Sequence, residues 1–446
     1  MSSRLPPSPT GHPVLRHALR FTQDPFEFVE SATAECGDIY RMDLPAVDDV
    51  FVLVHPDHLN QVLVTDVDKF GKTDDFRRAF GSGLLSAEGQ TWRHQREILQ
   101  PLFFRDRITG YGDAMVACTE QRLATWESGD VLEMESEMRH LTLEILFATL
   151  FGRELQPGED DELREAADGL NDWFAPTSWI LPPWLPTPAR RHFKQSTKRL
   201  RGEVRTLLAE TGTQTQQGAT EGQTTDLLSE LQRARAADEG GELSTRDIED
   251  QLITMVFAGH ETTATALAFA WYLLATHSEI RHQFHDELDE VLGGESPSFD
   301  DLSELDVTER ILTETLRLYP PIHTIPRQTM TDVDIGGFRL PEGHEVHLSI
   351  IGVHRDERFY DEPLAFRPDR WTDGFESALP DFAYAPFGGG RRSCIGREFA
   401  LLEAKLVLAT IGQRFQFEWE GKDEIELEPR VTIQTADGLP LRVQSR

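Results

Sequence analysis

The sequence predicts a mainly α-helical single domain with a smaller β-rich lobe near the N-terminus. Helical periodicity dominates from Arg105 to His277 and returns around Glu314 and Phe399. Short alternating runs at Val50–His55 and Glu345–Val353 read as strands. A chain of 446 residues could hold several domains on length alone. No Gly/Ser linker separates stretches of different character, however. The one low-complexity stretch, Thr211 to Thr225, reads as an exposed loop between two helices.

In chain order, a proline-rich start (Pro6, Pro7, Pro9, Pro13) leads to an Asp24-Pro25 pair. In Trp92-Arg93-His94-Gln95-Arg96, Trp92 and Arg96 stand four apart and share a helix face. The apolar segment Ser244 to His277 opens with Ser244 and Asp247 in capping-box spacing, and reads as one helix roughly 50 Å long. Inside it, Gly259-His260-Glu261-Thr262-Thr263 breaks the oily stripe. A glycine there costs about 1 kcal/mol against alanine, so helix stability does not explain it. Thr262 could bond back to its own helix instead of serving chemistry. Glu314 and Arg317 lie three apart on one face, and Pro320-Pro321 ends that helix. Pro363 and then Phe366-Arg367-Pro368-Asp369-Arg370-Trp371 follow.

Phe387-Gly388-Gly389-Gly390-Arg391-Arg392-Ser393-Cys394-Ile395-Gly396 presents one cysteine at the start of an apolar helix. Glycine amides, a helix N-terminus and two arginines favour a thiolate there. The other cysteines, Cys36 and Cys118, are distant and lack zinc-site spacing. A single thiolate suggests one axial bond to an iron. Two other readings of the loop stand beside it: a small buried hydrophobe, and a phosphate cradle, whose Lys-Ser/Thr ending is absent.

Taken with the flanking motifs, Phe387, Gly390, Arg392, Cys394 and Gly396 resemble the haem-binding loop of the cytochrome P-450 family, and the resemblance runs along nearly the whole chain. It implies haem b with Cys394 as axial thiolate, the ligation known for that family. It further implies that Gly259 lets dioxygen approach and that Glu261 and Thr262 relay protons. Trp92, Arg96 and Arg327 would bind the haem propionates, as arginine forks suit carboxylates. Glu314, Arg317 and Arg370 would form a buried ionic network holding the Cys394 loop. His260 falls at a variable position of the pattern and is assigned no role.

Net charge is −33, and only six of the 44 basic residues are lysines. Such a surface repels nucleic acid and anionic membrane. It resembles proteins of salt-loving microbes, pointing to a halophilic, archaeal source. No run reaches the roughly 18 to 20 apolar residues that span a bilayer, and no secretion signal or disulfide framework is visible. The expectation is a soluble, cytoplasmic protein without a membrane anchor.

As the resemblance implies, the activity is monooxygenation: one atom of dioxygen enters a carbon–hydrogen bond and the other leaves as water. Electrons would come from a separate ferredoxin or flavodoxin-type donor, with Arg391, Arg397 and Arg93 as candidate docking residues. Rival readings are a peroxide-driven haem-thiolate enzyme, which usually lacks the acid–alcohol pair, and a non-catalytic haem sensor. A hydrophobic substrate of fatty-acid, terpenoid or carotenoid class is expected. Its pocket would involve Arg78 to Leu85, Trp173 to Pro188, Phe257, Ala258, Thr324, Ile325 and the turn near Ile433.

Overall fold

A computed structural model of the chain describes residues 4–44, 48–156, 161–174, 185–216, 227–228, 230–232, 244–422 and 424–446. Helices form the larger part. Local chemistry starts several of them: Asp24 accepts from the amides of Phe26 and Glu27 ahead of Pro25, and Glu133 caps Met134–Leu150. Ser244 and Asp247 make both bonds of the expected capping box.

The β-rich lobe is a five-stranded sheet ordered Ile39–Met42, Val50–Leu53, Glu345–Ser349, Thr324–Thr329 and Phe70–Gly71. Val50–Leu53 runs parallel to Glu345–Ser349, with Val50 opposite Glu345; its neighbours pair antiparallel. The lobe thus joins N-terminal strands to segments almost 300 residues later. A three-stranded sheet orders Val131–Glu133, Pro440–Ser445 and Phe415–Trp419. A tight hairpin turns at Gly336 and Gly337, both with positive φ.

Two apolar cores result. One lies among the helices, centred on residues such as Trp271, Leu267 and Leu406; the other fills the sheet lobe around Phe51, Leu348 and Val346. A cavity of about 680 Å³ lies between them, with Leu63 and Met42 of the sheet lobe on one side and Leu146 and Phe257 of the helices on the other.

Several expectations need correction. The run expected as strand through Val353 divides, because Ser349 caps a short helix, Ile350–His354. The helix Pro188–Gln216 extends into the stretch expected to be a loop from Thr211; residues 217–225 lie outside the described residues. The segment expected as one regular helix from Ser244 is α-helical over Thr245–Val256 and Thr262–Thr276, but the five residues Phe257–Glu261 form a π-turn. Among the described residues no helix is long and apolar enough to cross a membrane.

Candidate active site

Cys394 precedes the helix Arg397–Arg414 and is held by its own loop: its amide donates to the Phe387 carbonyl at 3.0 Å. The glycines behind it are wedged in. Gly388 and Gly390 have φ of 66° and 65°, and a Cβ on Gly390 would stand 2.3 Å from the Leu63 carbonyl oxygen. Phe387, Arg392 and Cys394 all line the large cavity, so the thiol is deep in the protein while its open surface belongs to the cavity wall. Burial pushes the thiol above its ordinary pKa, although the Gly396 amide and the Arg96 and Arg397 guanidinia pull it down. The Gly396 amide and the two guanidinia thus favour the thiolate as the sequence suggests, burial opposes them, and a bound metal would tip the balance, since it strips a coordinating thiol of its proton.

Behind the loop lies a fully buried carboxylate. Glu314 accepts from Arg317 Nε and Nη2, both at 2.8 Å, and from Arg370 Nε at 3.0 Å. The Trp371 indole and the Arg367 amide complete its shell at 2.8 and 3.0 Å. Arg317 reaches on to the carbonyls of His354, Pro363 and Ala365. His354 Nε2 in turn accepts the Ala385 amide at 2.9 Å, two residues before Phe387. The three residues expected as a network are thus brought together, and His354, which sequence reasoning passed over, links them to the loop.

At the sheet side of the cavity, positive charge gathers. Arg327 is buried, and burial with Arg392 nearby pushes its pKa down to about 10. Lys72 is driven well below the usual lysine range by burial, then by Arg327 and Arg392. Arg392 stacks 4.7 Å over Trp92 and donates to the Ala87 carbonyl, while Arg96 donates to the Ser393 carbonyl at 3.0 Å. Glu88 is the acid that offsets these cations, and it is engaged by the Lys72 amide and by Arg77. An apolar cavity with one thiol and a cluster of mutually repelling cations fits a flat apolar group bearing carboxylates and one metal. Sequence reasoning missed Lys72, although its rarity as one of six lysines was a usable sign.

The central helix forms another wall. Ala258, Gly259, Thr262 and Thr263 line the cavity. The π-turn widens the helix here, as such turns often do at functional sites. Thr262 Oγ1 donates to the Ala258 carbonyl at 3.0 Å, leaving its lone pairs free to accept. A Cβ on Gly259 would stand 2.6 Å from Leu146 Cδ1, so close helix packing also requires this glycine. Glu261 is absent from the cavity wall. Its Oε1 accepts from Asn171 Nδ2, Thr432 Oγ1 and Gln434 Nε2 at 3.2, 3.1 and 3.0 Å, away from that wall. There it faces a second, polar cavity of about 310 Å³ with Arg139, Asp168 and Asp172.

Of the residues expected around a substrate, Arg78, Leu84, Leu85, Phe174, Phe257, Thr324 and Ile325 line the large cavity. Trp173 instead packs on Phe193 at 5.1 Å, and Ile433 is buried while nearby Val431 lines the wall. Trp179, Ile180, Leu181 and Trp184 lie outside the described residues.

The family model described as Cytochrome P450 matches residues 6–438. Pentalenene oxygenase of Streptomyces avermitilis is 34% identical, covering 98% of this chain and 97% of that protein. Cyclooctat-9-en-7-ol 5-monooxygenase of Streptomyces melanosporofaciens is 33% identical over 92% of this chain and 88% of its own length. The crystal structure of the cytochrome P450DA heme domain superposes with a TM-score of 0.84 at 28% identity, covering 100% of this chain and 99% of that one. Motifs, fold and relatives converge, and the chain belongs to the cytochrome P450 family of haem-thiolate monooxygenases.

Proposed function

We propose that this monooxygenase oxidises a ring-containing terpenoid, with Cys394 as the thiolate that would hold the haem iron. The observation carrying this reading is that Cys394 on one wall and Phe257, Ala258 and Thr262 on another border a single cavity. Bound haem would supply the activation of dioxygen and the transfer of one oxygen atom. Lys72, Arg96, Arg327 and Arg392 would hold its propionates. The aromatic cluster Phe76, Phe80, Phe174 and Phe257, with ring centroids 4.9 to 6.1 Å apart, supports a compact, rigid hydrocarbon and keeps water from it. Two relatives named for oxygenating pentalenene and cyclooctat-9-en-7-ol favour the terpenoid class over linear lipids.

Thr262 Oγ would accept and pass on protons inside the cavity, while Glu261 draws them from the polar cavity behind the helix. Gly259 would leave room for dioxygen. A separate ferredoxin or flavodoxin-type protein would deliver electrons near Arg397, whose side chain is 62% exposed beside the Cys394 loop. The acidic surface, at net charge −33, suits a salt-rich source. Full stability in dilute buffer would rule out that last point.

Titration of the purified holoprotein with cyclic terpene hydrocarbons and with linear fatty acids tests the substrate class. A spin-state shift with the cyclic set alone is the expected result; a shift with fatty acids alone would overturn it. The carbon monoxide spectrum of the reduced protein checks the ligand, because Cys394→His should abolish the thiolate band without abolishing haem binding.

A further inference from the structure

We infer that the Asp250 carboxylate fastens two walls of the large cavity to the central helix, and thereby sets how fast ligands enter and leave. The inference rests on the large cavity being the haem and substrate site. One wall is the segment 81–87, from which Leu84 and Leu85 line the cavity. It lies directly on the helix Thr245–Val256: a Cβ on Gly81 would stand 2.0 Å from Asp250 Oδ2, and one on Gly83 2.0 Å from Thr254 Oγ1. Asp247, Asp250 and Gln251 share one helix face by their spacing, and all three hold the segment. The Ser82 amide donates to Asp250 Oδ2 at 3.0 Å, its hydroxyl to Asp247 Oδ1 at 2.5 Å, and the Leu84 amide to Gln251 Oε1 at 3.0 Å. At the far end the Ala87 carbonyl accepts from Arg392, so the segment stretches from the central helix to the cation cluster.

The other wall is carried by the helix Pro188–Gln216. It packs through Phe193 on Trp173, whose neighbour Phe174 lines the cavity. Arg201 of this helix donates to the second oxygen of Asp250, Oδ1, and to Glu249 Oε2 at 3.3 Å, and Arg205 donates to Glu249 Oε1 at 2.6 Å. The two oxygens of one carboxylate thus serve two different walls. The Asp250 side chain is 5% exposed, so water does little to weaken these charge-assisted bonds. Where the walls meet, Phe174 lies 5.3 Å from Phe76 and 6.1 Å from Phe80. An apolar ligand can replace such ring contacts in kind as it passes. It offers nothing in place of the Asp250 bonds, which must break for the seam to part. Entry through the seam therefore waits on Asp250.

Amide hydrogen exchange of the holoprotein, with stopped-flow binding of phenylimidazole and of cyanide to the haem, is the test. In Asp250→Asn the Ser82 amide should exchange faster, and so should the Leu84 amide, whose own acceptor is untouched. Entry and exit of the bulky phenylimidazole should both rise roughly tenfold, about the weight of one weakened charge-assisted bond, while the small cyanide ion keeps its rate. Arg201→Gln, which frees the second wall alone, should reproduce those ligand rates and leave the Ser82 amide protected. Unchanged phenylimidazole rates in both variants, or faster exchange confined to Ser82, would overturn the fastening. Cyanide accelerated to the same degree would overturn it too, by showing a general loosening. If phenylimidazole gave no haem spectrum even with the unaltered protein, the haem reading would fall, and the Leu84 amide would still decide for or against the fastening.

Discussion

Glu261 and Thr262 are consecutive in sequence yet face different cavities: the hydroxyl lines the large one, and the carboxylate is fixed by Asn171, Thr432 and Gln434 beside the polar one. The acid therefore cannot touch a substrate directly, and the hydroxyl does not touch the acid's partners. Their effects should separate on mutation. Thr262→Ala removes a hydroxyl that, among the described residues, bonds to its own helix, so fold and haem content should persist. Electrons should then leave mainly as peroxide, measured as peroxide released per reductant consumed; unchanged coupling would remove Thr262 from the chemistry.

Glu261→Gln keeps the shape and the carbonyl oxygen that accepts the three bonds, but it cannot ionise. Turnover should fall by roughly 100-fold, the usual reach of a lost general acid–base group, with a larger solvent isotope effect and little change in haem binding. An unaltered isotope effect with full turnover would show that protons take another route.

Much of this arrangement was legible in the sequence because fixed spacing meets fixed geometry. Glu314 and Arg317 share a helix face by spacing alone, and the Ser244–Asp247 capping box stands where its pattern predicts. What was hidden depends on the third dimension. Glu261 looked like part of the oxygen site because it adjoins Thr262, but neighbours on a helix point about 100° apart and the π-turn shifts the register further. Lys72 joins Arg327 and Arg392 only after the sheet pairs Gly71 with Gln328. The strand through Ser349 could not be told from the helix that follows, since Ile350, Ile351 and Val353 suit either element.

Glu314→Ala should be among the most damaging single changes. It leaves Arg317 and Arg370 charged, buried and without their carboxylate, and strips the Trp371 indole and Arg367 amide of an acceptor. Breaking one partner of such a buried set costs about 3–5 kcal/mol. A lower denaturation midpoint and poor haem retention are expected. Near-normal haem content at 25 °C and an unshifted midpoint would show that the Cys394 loop holds itself.

Acid should destabilise the folded chain through His354 before carboxylates titrate. The ring is buried, its Nε2 accepts the Ala385 amide, and burial, followed by the Arg317 charge, pushes its pKa down to about 3. In the unfolded chain it titrates near 6.5, so between those values the unfolded state binds the extra proton and stability falls as pH falls. Each unit below the unfolded value removes about 1.4 kcal/mol from this group alone, or roughly 2 kcal/mol by pH 5. His140, His285 and His323, each held near 4 chiefly by burial, act in the same direction. Urea midpoints at fixed salt should therefore drop steadily from pH 7 to pH 5, and His354→Gln, whose amide oxygen can still accept from Ala385, should flatten part of that slope. A midpoint constant over this range would mean that His354 is protonated in the native protein, and that the link from Arg317 to the Cys394 loop is made some other way.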